Sequence, residues 1–397
     1  MPVGPFNRKP DSGLGNIRSS PSAPSRNVDW VLMMAVAALS LIGLAIIYSS
    51  SRTKFALGAD APYGFFFVTR QEVFLIAAVV GMVVVMSFDY EWWKDHARFL
   101  YGVTVMLLAL ITLMNVLKLR GSDETVLSFD LGPLNVQPAE LAKFTVLLVV
   151  AAYLGDDRSD DLPYHRFIIG LMLVGVPVIL IIAQPDLGSA SVLIAMVMGL
   201  MLVAGAKMRY IFMITVLSAA TVGAAVVTGL VNEYQLRRFT AFFNQNSNDT
   251  ALRDFVYQGR NAIRALATGG VTGKGWLQGP ITMARSDIPV QWADLPFSAV
   301  GEEFGLVGCA VVIGLYAVVL LRIWRIAHLS RDLLGTYLCV GVFTMLLWQV
   351  FQNIAMTIGL MPITGLPLPF ISYGGSGIIM FYALIALVQN VHMRRYR

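Results

Sequence analysis

Apolar runs long enough, or nearly so, to cross a lipid bilayer recur along this chain at 30–48, 73–88, 99–117, 139–154, 167–183, 188–205, 208–230, 303–321, 333–355 and 375–391, and they constrain the fold more than any motif does. Inside hydrocarbon the backbone must satisfy its own hydrogen bonds, and a continuous apolar run does so as a helix. The fold class expected is therefore an all-α integral membrane protein of about ten transmembrane helices. Only 13% of the residues are charged and 57% are hydrophobic, so no half-polar stretch remains to fold as a soluble domain.

Residues 1–28 are rich in Pro, Ser, Gly, Asn and Arg without an apolar period, and read as a disordered cytoplasmic tail. Residues 29–397 then form one polytopic membrane domain. The run from Trp30 exceeds a signal-peptide core and lacks a clear small-residue cleavage site, so it reads as the first span. Basic residues gather on alternate connections: Arg8, Lys9, Arg18 and Arg26, then Lys94 and Arg98, Arg158 and Arg166, Lys207 and Arg209, Arg322, Arg325 and Arg331, and Arg394, Arg395 and Arg397. That face is cytoplasmic by the positive-inside rule, and both termini lie on it. The net charge of +5 thus reads as topology, and no nucleic-acid partner is expected. Cys309 and Cys339 fall inside apolar runs and read as small buried hydrophobes.

Two segments on the opposite face interrupt the pattern. The connection 231–302 is far longer than a tight turn, and its Phe239, Phe242, Phe243, Phe255, Tyr257, Trp276 and Trp292 predict an ordered extracytoplasmic loop. The second, 361–377, reads MPITGLPLPFISYGGSG; its prolines and glycines exclude a continuous helix, yet it remains apolar. It is expected to re-enter the membrane or line a cavity.

Several polar groups near the outer membrane boundary carry a structural and a chemical reading at once. Asp294 is set beside Trp292, Leu295, Pro296 and Phe297, where desolvation would raise its pKa toward that of a usable base; an arbitrary loop Asp is more often simply solvated. Glu140 and Lys143 are three apart on one helix face, either a structural ion pair or a functional one. Pro138 fits the first turn of that helix, and Asp186 reads as the cap of the sixth. Glu302 and Glu303 open the eighth span, where carboxylates suit the positive helix end, and one of them is a candidate ligand for a divalent cation. Lys274, between Gly273 and Gly275, with Arg237, Arg238 and Arg260, reads either as solvated loop charge or as contacts for a diphosphate.

QPAELAK at 137–143, QPDLGSA at 184–190, YQGRNAIRALATGGVTGKG at 257–275, ADLPFSAVGEEFGLVG at 293–308 and NIAMTIGLMPITGLPLPFISYGGSG at 353–377 occur in this order on the expected topology. With them, from about Val28 to Tyr396, the chain resembles the SEDS family (RodA, FtsW, SpoVE), membrane glycosyltransferases that polymerise peptidoglycan from lipid II. The resemblance places Asp294 at the position of the family's catalytic Asp, and so implies that it is the general base. It places Glu140 and Lys143 at the active cavity, and so implies that they hold Asp294 or the substrate; Lys274, Arg237, Arg238, Arg260, Glu303 and Ser372 are further supporting candidates, and a divalent cation, Mg or Mn, is the cofactor to test for. The partners implied are lipid II, membrane lipids and a class B penicillin-binding protein transpeptidase, and the location is the bacterial cytoplasmic (inner) membrane. The chain departs from the family where an Arg-Trp pair commonly precedes Gln137, and at Ala293, Leu295 and Pro296 around the Asp. The competing reading is a flippase for a lipid-linked cell-wall precursor, which would also need many helices, a polar cavity and diphosphate contacts.

Overall fold

The computed structural model describes residues 27–52, 63–117, 126–131, 134–156, 162–228, 233–244, 252–283, 288 and 290–396. The tail expected over 1–28 therefore lies almost wholly outside the described residues. In chain order the elements are α1 (Trp30–Ser51), α2 (Tyr63–Ser87), α3 (Tyr90–Val116), β1 (Phe129–Leu131), β2 (Leu134–Val136), α4 (Pro138–Gly155), α5 (Tyr164–Ala183), α6 (Leu187–Val203) and α7 (Met208–Val227). Then come α8 (Glu233–Phe243), α9 (Arg253–Gly269), α10 (Pro280–Met283), α11 (Gln291–Asp294), α12 (Pro296–His328), α13 (Leu333–Thr357) and α14 (Gly375–Met393).

Among the described residues, eight helices are long and apolar enough to cross a membrane: α1, α2, α3, α4, α5, α12, α13 and α14. Two shorter apolar helices, Leu187–Val203 and Met208–Thr221, occupy the sixth and seventh expected spans. The helix count thus matches the sequence pattern, and the differences are at the ends. α2 and α3 begin about ten residues before their most apolar stretches, because aromatic and charged first turns continue the helix into the interface. α12 begins at Pro296, so Glu302 and Glu303 lie inside it rather than at its start.

Local chemistry fixes the helix starts. Asp29, Asp89, Asp186 and Asp332 each accept a backbone N–H from the first turn of the helix they precede. Pro138 stands in the first turn of α4, where its missing N–H costs nothing. The start of α1 and the end of α14 meet on one face: the Asp29 N–H donates to Gln389 Oε1 at 3.1 Å, and Arg322 binds the Asp29 carboxylate through Nε and Nη2.

α4, α13 and α14 are the most enclosed spans, whereas α2, α3 and α12 present apolar side chains such as Ile76, Val80, Leu113 and Leu321 outward, as lipid-facing helices do. α1 packs directly on the irregular stretch 358–374. A Cβ at Gly43 would come within 2.8 Å of the Ile371 backbone, so only glycine permits the approach.

Parts of the long outer connection fall among the described residues. It carries amphipathic α8 and α9 and the short α10 and α11. Its 269–275 stretch is spliced into a break in α12, where Gly305 adopts φ 64°. There the Leu306 and Val307 N–H groups donate to the Gly270 and Val271 carbonyls, while the Lys274 and Gly275 N–H groups donate to the Glu302 and Glu303 carbonyls. Gly273 must be glycine for this, since a Cβ there would lie 2.1 Å from the Glu303 carbonyl oxygen.

Candidate active site

A cavity of about 490 Å3 opens at the end of the bundle opposite the contact between Asp29 and Gln389. Its walls are α2 through Phe67, Arg70 and Phe74, the β2–α4 junction through Asn135, Gln137 and Glu140, α11 through Trp292, Ala293 and Asp294, the 365–374 stretch, and the first turns of α14.

Asp294 ends α11, a single turn entered through Val290 in the left-handed region (φ 51°) and left through Leu295. The turn is pinned from behind by Asn353, whose Nδ2 donates to the Asp294 carbonyl at 2.9 Å and to the Leu366 carbonyl at 2.7 Å. One side chain of α13 thereby holds together the two irregular segments that meet at the cavity. Burial pushes the Asp294 carboxyl above the usual carboxylate range, and the Arg238 charge offsets part of that rise. Arg238 and Asp294 flank Gly365: a Cβ there would lie 3.5 Å from Arg238 Nη1 and 3.8 Å from Asp294 Oδ2.

Glu140 lies in the first turn of α4 and is 3% exposed; Lys143, one turn on, is 1% exposed. Lys143 Nζ donates to Glu140 Oε1 at 2.6 Å and to Gln349 Oε1 at 3.4 Å, and Gln349 Nε2 donates to the Pro367 carbonyl at 3.0 Å. The pair thus ties α4 through α13 to the irregular stretch, while Glu140 Oε2 has no hydrogen-bond partner among the described residues.

Ser372 also lines the cavity, but its hydroxyl is engaged as a brace: Ser372 Oγ accepts the Leu368 N–H at 2.7 Å, and the Ser372 N–H returns to the Leu368 carbonyl at 2.9 Å. Gln71 clamps the next turn, accepting the Gly374 N–H at 3.2 Å. Ser376 Oγ donates to the Asn135 carbonyl and accepts the Gln137 N–H at 3.2 Å, which joins the hairpin to the start of α14.

The remaining expected site residues lie elsewhere. Arg238 and Arg260 line a smaller cleft between α8, α9 and the 359–363 stretch. Arg237 is on α8 and does not line the large cavity. Lys274 is exposed and outside it. Glu303 is buried beneath the spliced loop, accepting from Ser49 Oγ, and Glu302 accepts the Ile281 and Thr282 N–H groups at 2.9 and 2.6 Å, so both carboxylates anchor the outer connection. Among the described residues no cluster of three or more His, Cys, Asp or Glu is placed to hold a metal.

Sequence reasoning passed over Arg70, Asn353, Gln349 and Gln71. The last three are buried amides, and Asn353 and Gln349 fall inside an apolar run, an oddity that was a usable signal. Arg70 reads from sequence as a connection charge; on α2 it reaches the cavity wall and packs over the Phe66 ring at 4.9 Å. Tyr373 lies beside Arg70 and stacks edge-on to Phe67, which also meets Trp292.

These features define a polytopic membrane protein with a carboxylate-bearing cavity walled by lipid-facing and enclosed helices. The family described as "Cell cycle protein" (FtsW, RodA, SpoVE) matches residues 29–397, and the chain belongs to it. It is 30% identical over 371 residues to "Probable peptidoglycan glycosyltransferase FtsW" of Geobacter sp. (strain M18), covering 92% of this chain and 97% of that protein. It is 29% identical to "Peptidoglycan glycosyltransferase MrdB" of Escherichia coli (strain K12), covering 94% and 97%. Among solved structures, a chain from "Structural coordination of polymerization and crosslinking by a peptidoglycan synthase complex" superposes with TM-score 0.71 at 27% identity, covering 93% of this chain and 99% of that one. Thermus thermophilus RodA superposes with TM-score 0.65 at 28% identity, covering 93% and 98%. The chain is by class a multi-pass membrane glycosyltransferase.

Proposed function

We propose that the protein polymerises lipid II into peptidoglycan glycan strands, with Asp294 as the general base. The observation that carries this reading is the placement of Asp294: a desolvated carboxylate on the wall of a cavity of about 490 Å3, held by Asn353 and facing space large enough for sugar. Asp294 takes the proton from the acceptor sugar hydroxyl, that oxygen attacks the anomeric carbon of the donor, and the bond to undecaprenyl diphosphate breaks. A raised pKa makes the carboxylate the stronger base for this step.

Charge builds on the leaving diphosphate, so cationic and dipolar groups stabilise the transition state. Among the described lining residues Arg70 supplies the positive charge, and the first-turn N–H groups of α14 around Gly375 and Ser376 supply a helix dipole. Arg238, beside Asp294, restrains the carboxylate. Arg237 and Arg260 are left as contacts for more distal parts of the substrate, and Lys274 stays a solvated loop charge. If a divalent cation is used, Glu140 and Asp294 are the carboxylates on the cavity wall that would hold it, and the charge neutralisation it supplies would act on the diphosphate.

The protein resides in the bacterial inner membrane with both termini cytoplasmic, a reading supported by its Lys/Arg distribution. Crosslinking falls to a class B penicillin-binding protein, in keeping with the synthase complex that contains a structural neighbour. The test is purified protein with lipid II in detergent, where no sidedness exists and transport leaves no product. Wild type should yield long glycan and Asp294→Asn none, a loss of about 10²–10⁴-fold; glycan from the variant at the wild-type rate refutes the assignment.

A further inference from the structure

A second cavity of about 490 Å3 lies at the other end of the bundle, between the start of α3, the end of α4 and the start of α5. Its depth is marked by Trp92 and Trp93 in the first turn of α3, residues that favour the boundary between head groups and acyl chains. Its inner end is closed by Tyr101, whose hydroxyl donates to the Leu173 carbonyl at 3.0 Å. Near its mouth Lys94 Nζ meets Asp156 Oδ1 at 2.6 Å and joins α3 to α4.

Among the described lining residues the charges balance: Lys94 and Arg98 against Asp95 and Asp156. Asp95 and Arg98 are three apart on one helix face, where partners normally meet, yet neither forms a hydrogen bond or ion pair with any other described residue. One open cation and one open anion thus stand side by side in a recess with an apolar inner wall, Val149 and Ile169.

We propose that this cavity binds the head group of a zwitterionic aminophospholipid, its phosphate against Arg98 and its primary ammonium against Asp95. A net-anionic head group would satisfy Arg98 but confront Asp95 and Asp156 with like charge. A quaternary ammonium carries no N–H to donate to Asp95. A primary ammonium linked to a phosphate by a short ethanolamine arm meets both groups with charge-assisted hydrogen bonds. The lipid would fill the gap between α3 and α5, with its acyl chains along the outward apolar face of α3.

The experiment is native mass spectrometry of the full-length protein in detergent, given equal amounts of phosphatidylethanolamine, phosphatidylglycerol and phosphatidylcholine with identical acyl chains. Wild type should retain phosphatidylethanolamine about tenfold over the others. Asp95→Asn should erase the preference over phosphatidylglycerol and phosphatidylcholine, and Arg98→Gln should weaken retention of all three. Both positions are exposed, so the variants should fold, and the wild-type competition stands without them. Equal retention of the three lipids by wild type, or a preference that survives both substitutions, overturns the proposal. Saturable binding of soluble phosphoethanolamine without any lipid preference overturns the lipid as the source of the head group.

Discussion

The two carboxylates of the large cavity sit on walls of opposite character. Glu140 belongs to the first turn of a regular, enclosed helix, is neutralised by Lys143 at 2.6 Å, and is tied through Gln349 to the irregular stretch. Asp294 belongs to a single turn between two non-helical residues, has no ion pair among the described residues, and is pushed above the usual carboxylate range by burial. The same functional group in the same cavity is thereby set to different tasks. A counter-ion at bonding distance makes Glu140 a fixed part of the frame, whereas desolvation leaves Asp294 with proton affinity to use.

Removing Asp294 from this pair, as Asp294→Asn, is expected to cost the most activity and little stability. Breaking the other wall should reverse that pattern. Lys143→Met leaves Glu140 buried without its counter-ion and is expected to cost about 3–5 kcal/mol, read as a fall in Tm in detergent. Adding Glu140→Gln should recover much of that loss, because it removes the orphaned charge; a double variant less stable than the single would break the comparison.

Asn353→Ala probes the support of Asp294 rather than the carboxylate itself. Loss of two buried hydrogen bonds should cost about 2 kcal/mol, and release of the α11 turn should lower kcat about tenfold or more. An unchanged kcat would mean that the carboxylate is positioned without Asn353. Lys274→Gln touches neither wall, and its polymerisation rate should stay within about twofold of wild type, since the loop is held there by backbone bonds alone.

What the sequence made legible follows from the physics of each part. Spans were readable because hydrocarbon demands unbroken apolar helix, and the irregular stretch because Pro362, Pro367 and Pro369 forbid one. Pro138 and Asp186 revealed the starts of α4 and α6, since capping depends on adjacent residues. The β1–β2 hairpin was not readable, being two three-residue strands. Nor was the splice of 269–275 into α12, which rests on backbone pairing across about thirty residues and on a break at Gly305 that composition does not announce. Arg70 was missed for a related reason: the apolar signal of α2 begins after it, although the helix does not.

The stability and rate consequences of Asp294 have opposite signs in pH. Its folded pKa is raised, so the fold favours the protonated form, and its contribution to stability is lost as pH rises through that pKa. Asp294→Asn should therefore match or exceed wild type in Tm at neutral pH. Catalysis runs the other way, because only the deprotonated carboxylate accepts a proton.

The most direct measurement is the pH dependence of kcat/KM for purified protein polymerising lipid II in detergent. The rate should climb with pH along an acid limb whose midpoint lies above the ordinary Asp value of roughly 3.9, with Asp294→Asn inactive throughout. A rate already at its plateau at that pH, or the same limb persisting in Asp294→Asn, would contradict the assignment of Asp294 as the base.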